Sequence, residues 1–172
     1  APLWNKGATG STYTTYSTST SQSIDGEVLS VGSISLACLS CHDGTQAMDN
    51  LVNAPGSGGY NASGASAGYT WTGANQAAGK ITSVANLGID LQNDHPIGIR
   101  YCGGGQVTGT PAGSCVDPDF NAPTNSTING TLVWWVDTGT AGRQKTDLPL
   151  YNRTFTTAPA GTGPSVECGS CH

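Results

Sequence analysis

The sequence predicts a small, mostly irregular domain with a few short helices and one small β hairpin or sheet, organised around something its own side chains do not supply. Three observations carry that prediction. Only 36% of the 172 residues are hydrophobic and 7% aromatic, while 25 are glycine, so few large side chains are available to fill an interior. Regular periodicity is confined to short stretches. The pentapeptide Cys38-Leu39-Ser40-Cys41-His42 also recurs as Cys168-Gly169-Ser170-Cys171-His172.

Two thiols three positions apart, followed at once by a histidine, form the attachment sequence of a c-type haem. The thiols hold the porphyrin by thioethers and the histidine becomes the proximal iron ligand. Competing chemistries fit less well. A thioredoxin-like pair wants one such motif inside a βαβ pattern, and a zinc site wants four ligands. Pooling thiols that stand 130 positions apart would leave both adjacent histidines idle. The expectation is two covalently bound haem c groups, on Cys38 and Cys41 and on Cys168 and Cys171, with His42 and His172 as iron ligands. The porphyrins then replace much of a hydrophobic centre.

Taken in order, residues 1–25 read as an extended arm, rich in Thr, Ser and Tyr, attached to a single domain spanning 1–172. From Ile34 to about Val52, Leu36, Leu39, Met48 and Leu51 fall near helical spacing, which predicts a short helix carrying Cys41 and His42 and ending before Pro55. Residues 54–70 are punctuated by glycine and predict a surface loop, with Tyr60, Tyr69 and the following Trp71 as local packing. A possible helical turn follows within 76–92. Pro96 then biases His95 towards extended backbone. Cys102 and Cys115 flank a glycine-rich loop and predict a disulfide, because free thiols there would be exposed and reactive. Thr131-Leu132-Val133-Trp134-Trp135-Val136 is the best strand in the chain, and residues 147–155 predict a shorter one made irregular by Pro149. Asn61, Asn125, Asn129 and Asn152 each begin an Asn-x-Ser/Thr sequon.

The chain has only three histidines. Two six-coordinate haems need four axial ligands, so beyond His42 and His172, His95 completes one iron and the fourth position falls to Met48, Lys6, the Ala1 amine or water.

A formal charge of −5 excludes nucleic acid as a natural partner. The six cations, Lys6, Lys80, Arg100, Arg143, Lys145 and Arg153, serve as partners for haem propionates or as solvated charges. No window approaches eighteen consecutive apolar residues, so no membrane span is expected. Haem c attachment and a disulfide both point outside the cytoplasm, and the first residues lack the basic start and apolar run of a signal peptide, as a processed chain would.

Four stretches together resemble a known group: Ala1-Pro2-Leu3-Trp4-Asn5, Cys38 to Thr45, Asn93-Asp94-His95-Pro96-Ile97, and Val166 to His172. They are similar to segments of secreted bacterial multihaem c-type cytochromes, some of which polymerise into extracellular cytochrome filaments, or nanowires. The resemblance implies that His95 is a distal haem ligand and that the role is long-range electron transfer rather than catalysis. It also implies partners that are copies of the same chain, redox proteins or extracellular electron acceptors, and an extracellular or cell-surface location, with the periplasm as the alternative. A monomeric electron shuttle and a small haem enzyme acting on peroxide or nitrite at an open axial site are the competing expectations.

Overall fold

The computed structural model describes residues 5–17, 24–48, 50–52, 73–107 and 115–172. The chain forms two compact units, Ala1–Thr14 with Leu36–Asp94, and Thr15–Ser35 with His95–His172. Residues 54–70, Trp71, Ala1 and most of the loop between Cys102 and Cys115 lie outside the described residues.

The first unit is built around helix α1 (Ser33–His42), whose residues from Leu36 onward belong to it. The helix stops at His42, well short of Val52. The Asp43 carboxylate accepts the Thr45 N–H at 2.9 Å and its hydroxyl at 2.8 Å, a side-chain turn that competes with further helix, and Gly44 adopts φ 66°. Strands β1 (Gln76–Ala77) and β2 (Lys80–Ile81) pair antiparallel across Ala78 and Gly79, both at positive φ, where a helical turn was expected. A short 3-10 turn, Ser83–Ala85, follows. Residues near the start of the chain pair locally: Lys6 bridges Leu51, and Thr14 bridges Asp90.

The second unit is a five-stranded antiparallel sheet of β3 (Ile99–Arg100), β4 (Thr124–Ile128), β5 (Thr131–Val136), β6 (Leu148–Phe155) and β7 (Gly161–Val166), in the order β3-β7-β6-β5-β4. The β4–β5 turn is Asn129-Gly130, with φ of 50° and 77°, the backbone that a two-residue hairpin requires. Trp134, Val136, Leu150 and Tyr101 form the core with the Cys102–Cys115 disulfide, whose Cα atoms are 5.3 Å apart. Leu132, Leu148 and Val166 pack against them. Burial of each large apolar side chain contributes on the order of 2 kcal/mol.

The predicted fold class is thus corrected. Among the described residues the protein is mostly β, with antiparallel sheets of five and two strands and one α-helix, not an irregular chain with a few short helices. Composition averaged over 172 residues conceals the reason: most of the buried apolar side chains among the described residues fall within residues 97–155, where Trp134, Trp135, Phe155, Leu150 and Tyr101 are all buried. The chain therefore builds a protein core in this unit without help.

The buried Arg100 completes that core. Its guanidinium lies 4.7 Å over the Phe155 ring and donates to the carbonyls of Thr157 at 2.9 Å and Pro159 at 2.7 Å. Among the described residues no helix is long and apolar enough to cross a membrane.

Candidate haem sites

In the first unit, Cys38 and Cys41 are three apart on α1 and so share one helix face, both half-buried, with His42 as the last helical residue. The exposed imidazole of His42 is held from one side: Nδ1 lies 2.9 Å from the Ala85 carbonyl oxygen, and the His42 carbonyl accepts the Leu87 N–H at 2.8 Å. A carbonyl oxygen can only accept, so Nδ1 is the donor, and in a neutral ring the lone pair that ligates metals then sits on Nε2.

The next residue is buried and locked. Asp43 accepts from Tyr13 Oη at 2.6 Å and Thr9 Oγ1 at 2.9 Å as well as from Thr45. Burial alone would raise its pKa, but these bonds outweigh burial and hold the carboxyl below its ordinary value. Burial and the bond to Asp43 push the Tyr13 phenol up to about 12.

In the second unit, the other motif opens on a 3-10 turn, Cys168–Ser170, capped by Glu167. Glu167 is 1% exposed, and its carboxylate is the hub of the site. It pairs with Arg153 Nη1 at 2.6 Å and accepts from Ser35 Oγ at 2.5 Å and from the Gly32 N–H at 3.3 Å. Ser35 Oγ in turn accepts the Cys168 N–H at 2.9 Å, so the charge fixes the first cysteine through one hydroxyl. Tyr151 Oη donates to the Gly169 carbonyl at 3.1 Å.

His95 reaches this site because the chain is pinned beside it. The Gly98 N–H donates to the Val166 carbonyl at 2.8 Å, while the Gly98 carbonyl accepts the Leu29 N–H at 2.7 Å. The exposed rings of His95 and His172 end with centroids 6.5 Å apart and planes 15° from parallel. That is the far end of the range for a ring–ring contact.

These residues fit the group the motifs call for. None of the four motif cysteines is in a disulfide. His95 and His172 are neighbours in the second unit, and His42 Nδ1 lies within hydrogen-bond distance of a carbonyl, which leaves Nε2 to face a ligand. Among the described residues, no three His, Cys, Asp or Glu side chains converge as a site for a bare ion, which a tetrahedral zinc centre would need. Of the cations considered for propionates, Arg100 is bound to carbonyls, Arg153 to Glu167, and Arg143 lies 3.9 Å from Asp147. Met48 is half-buried and donates its N–H to the Gly79 carbonyl.

Sequence reasoning missed the residues that hold the motifs: Asp43, Tyr13 and Ala85 for one, Ser35, Glu167 and Arg153 for the other. Asp43-Gly44-Thr45 carried a readable side-chain turn signal. The Glu167 hub carried none, since its partners lie 14 and 132 residues away. No family model matches the chain, and no curated protein is similar to it.

Proposed function

We propose that the chain is an extracellular dihaem c-type cytochrome that passes electrons, and that copies of it assemble head to tail into a conductive filament. The single observation that supports the electron-transfer role is the His95–His172 pair, because two histidines that both held one haem iron would leave no place on it for substrate. When bound, each haem supplies one reversible electron through its iron.

The chain's own residues do the rest. Cys38 and Cys41, and Cys168 and Cys171, provide the covalent links, and His42, His172 and His95 the iron ligands. Ala85 holds the His42 Nδ1 proton, which fixes the tautomer and ring orientation. Glu167 and Ser35 fix the start of the second motif, so the ligand set is rigid before and after electron transfer.

Secretion is supported by the Cys102–Cys115 disulfide, which persists in oxidising compartments. Self-assembly is supported by the low content of charged residues, 10%, which leaves little repulsion between copies. Strand β4 also ends its sheet and pairs only with β5 among the described residues, so its other edge is available to a strand from a further copy. A heterologous contact that does not close gives an open filament.

A pyridine haemochrome assay on the native protein is expected to give two haem c per chain, and electron micrographs to show filaments. Absence of haem would end the cytochrome proposal. Haem with only monomers would leave the shuttle in place of the filament.

A further inference from the structure

We propose that β4 pairs with β4 of a second copy, antiparallel about a two-fold axis at Ser126, and so joins two five-stranded sheets into one. This contact rests on the reading that copies of the chain associate, and not on the haems.

The five-stranded sheet has one open edge among the described residues. At its far end β3 is covered, since Val28 bridges Ile99 and the Arg100 N–H donates to the Glu27 carbonyl at 2.9 Å. Strand β4 has β5 on one side only, and Asn125, Ser126, Thr127 and Ile128 are all exposed. The two-residue turn at Asn129-Gly130 makes Ile128 and Thr131 the first pair to exchange backbone bonds, followed by Ser126 with Val133 and Thr124 with Trp135. The N–H and C=O groups of Asn125 and Thr127 therefore point away from β5, as a row of donors and acceptors at the sheet margin.

That row is complementary to itself. In two antiparallel copies centred on Ser126, Asn125 of each chain stands opposite Thr127 of the other and exchanges both backbone bonds with it. Ser126 then faces Ser126 in a non-hydrogen-bonded pair, and Thr124 faces Ile128. A slip of the register in either direction sets one of the outward residues against Pro123, which has no N–H, or against Asn129 in the turn.

Nothing along the strand opposes this pairing. Sheet edges are commonly guarded by a lysine, a proline or a bulge. Strand β4 reads Thr-Asn-Ser-Thr-Ile and pairs with β5 residue for residue without a bulge. No charged side chain occurs from Phe120 to Val136, so the net charge of −5 is carried elsewhere and two copies meet here without like charges between them. One short strand buries little area, so the contact is reversible. A two-fold contact also closes on itself: it joins two chains, or two head-to-tail filaments side by side, and lengthens neither.

The test is sedimentation velocity of the native holoprotein from about 1 µM to 1 mM, with electron micrographs of the same samples. Wild type is expected to pass from single units, chains or filaments, to units paired side by side. Thr127→Pro removes an outward N–H that β5 does not use, so the fold should persist while pairing is lost at every concentration. Ser126→Lys and Ser126→Glu each set like charges against one another at the axis and should not pair alone, whereas an equal mixture of the two should pair again. A wild type that never pairs, a Thr127→Pro protein that pairs as wild type does, or a mixture of the charged variants that stays unpaired would overturn the proposal. Filaments indifferent to all of these substitutions, with no side-by-side pairs, would sink the β4 contact and leave head-to-tail assembly standing. Pairs that depend on β4, without filaments, would keep the contact and sink the filament. If Thr127→Pro fails to fold, the mixing experiment decides the matter.

Discussion

His95 and His172, 77 positions apart in sequence, place their imidazole rings 6.5 Å apart and 15° from parallel. The pair follows from a backbone bond, Gly98 to Val166, that sets the residues after His95 beside the strand running into the second cysteine motif. The same arrangement gives the first prediction. His95→Ala is expected to keep two haems by pyridine haemochrome assay, because the cysteines are untouched, yet to turn one of them high-spin in its absorption spectrum.

Glu167 is buried while its partner Arg153 is one-fifth exposed. Removing the arginine leaves a buried carboxylate with only neutral donors, so Arg153→Ala should lower the unfolding free energy by about 3 kcal/mol. Ser35→Ala, which deprives both Glu167 and the Cys168 N–H of one partner, should cost about 1–2 kcal/mol. Both are read from urea melts, and an unchanged midpoint in either would contradict the hub.

A Cβ on Gly169 would lie 2.4 Å from Tyr151 Oη and 3.0 Å from Ile34 Cγ2. Gly169→Ala is therefore expected to destabilise by about 1–3 kcal/mol. Tyr151→Phe in the same chain should recover part of the loss, since removing the hydroxyl removes the closer clash.

Glu27 accepts from the N–H and hydroxyl groups of both Thr156 and Thr157, at 2.7–3.0 Å. Slight burial opposes ionisation, but these four donors win and lower the pKa to about 2 from 4.5. The folded state thus holds the proton less tightly than the unfolded one. The contribution is complete above about pH 4.5 and is lost as pH falls towards 2. Tyr13 acts at the other end: raised from 10.0 to about 12, it stabilises the fold below pH 10, and that contribution is lost as pH rises through 12. Thermal melts against pH should show both limbs. Glu27→Gln should flatten the acid limb and Tyr13→Phe the alkaline one.

The Cys102–Cys115 disulfide packs inside the core of the five-stranded sheet. Replacing both cysteines by serine should lower stability by about 3 kcal/mol, the chain-entropy value for a loop of this length, measured by denaturant unfolding.

The local patterns of this chain were more legible than its fold. The two cysteine motifs and the Cys102–Cys115 pair stand out as local patterns, and β5 was visible as an unbroken run of apolar, aromatic and β-branched residues. Strand β7 was hidden: Gly161, Gly163 and Pro164 argue against a strand in isolation, and they are tolerated where β6 alone pairs with them, since β3 pairs only with Ser165 and Val166 beyond them. Strand β4, reading Thr-Asn-Ser-Thr-Ile, carries no apolar alternation because nearly all of it is exposed at a sheet edge. The Asn129-Gly130 turn was the signal that could have revealed the β4–β5 hairpin. The helix ended early because Asp43 and Gly44 outweigh a hydrophobic period that runs on past them.

The most direct test is an experimental density map of the native protein around His172. A porphyrin attached through Cys168 and Cys171 is expected there, with its iron bonded to the imidazoles of both His95 and His172. Density in which the two rings touch each other, or in which His95 faces solvent while another group occupies the position opposite His172, would contradict it.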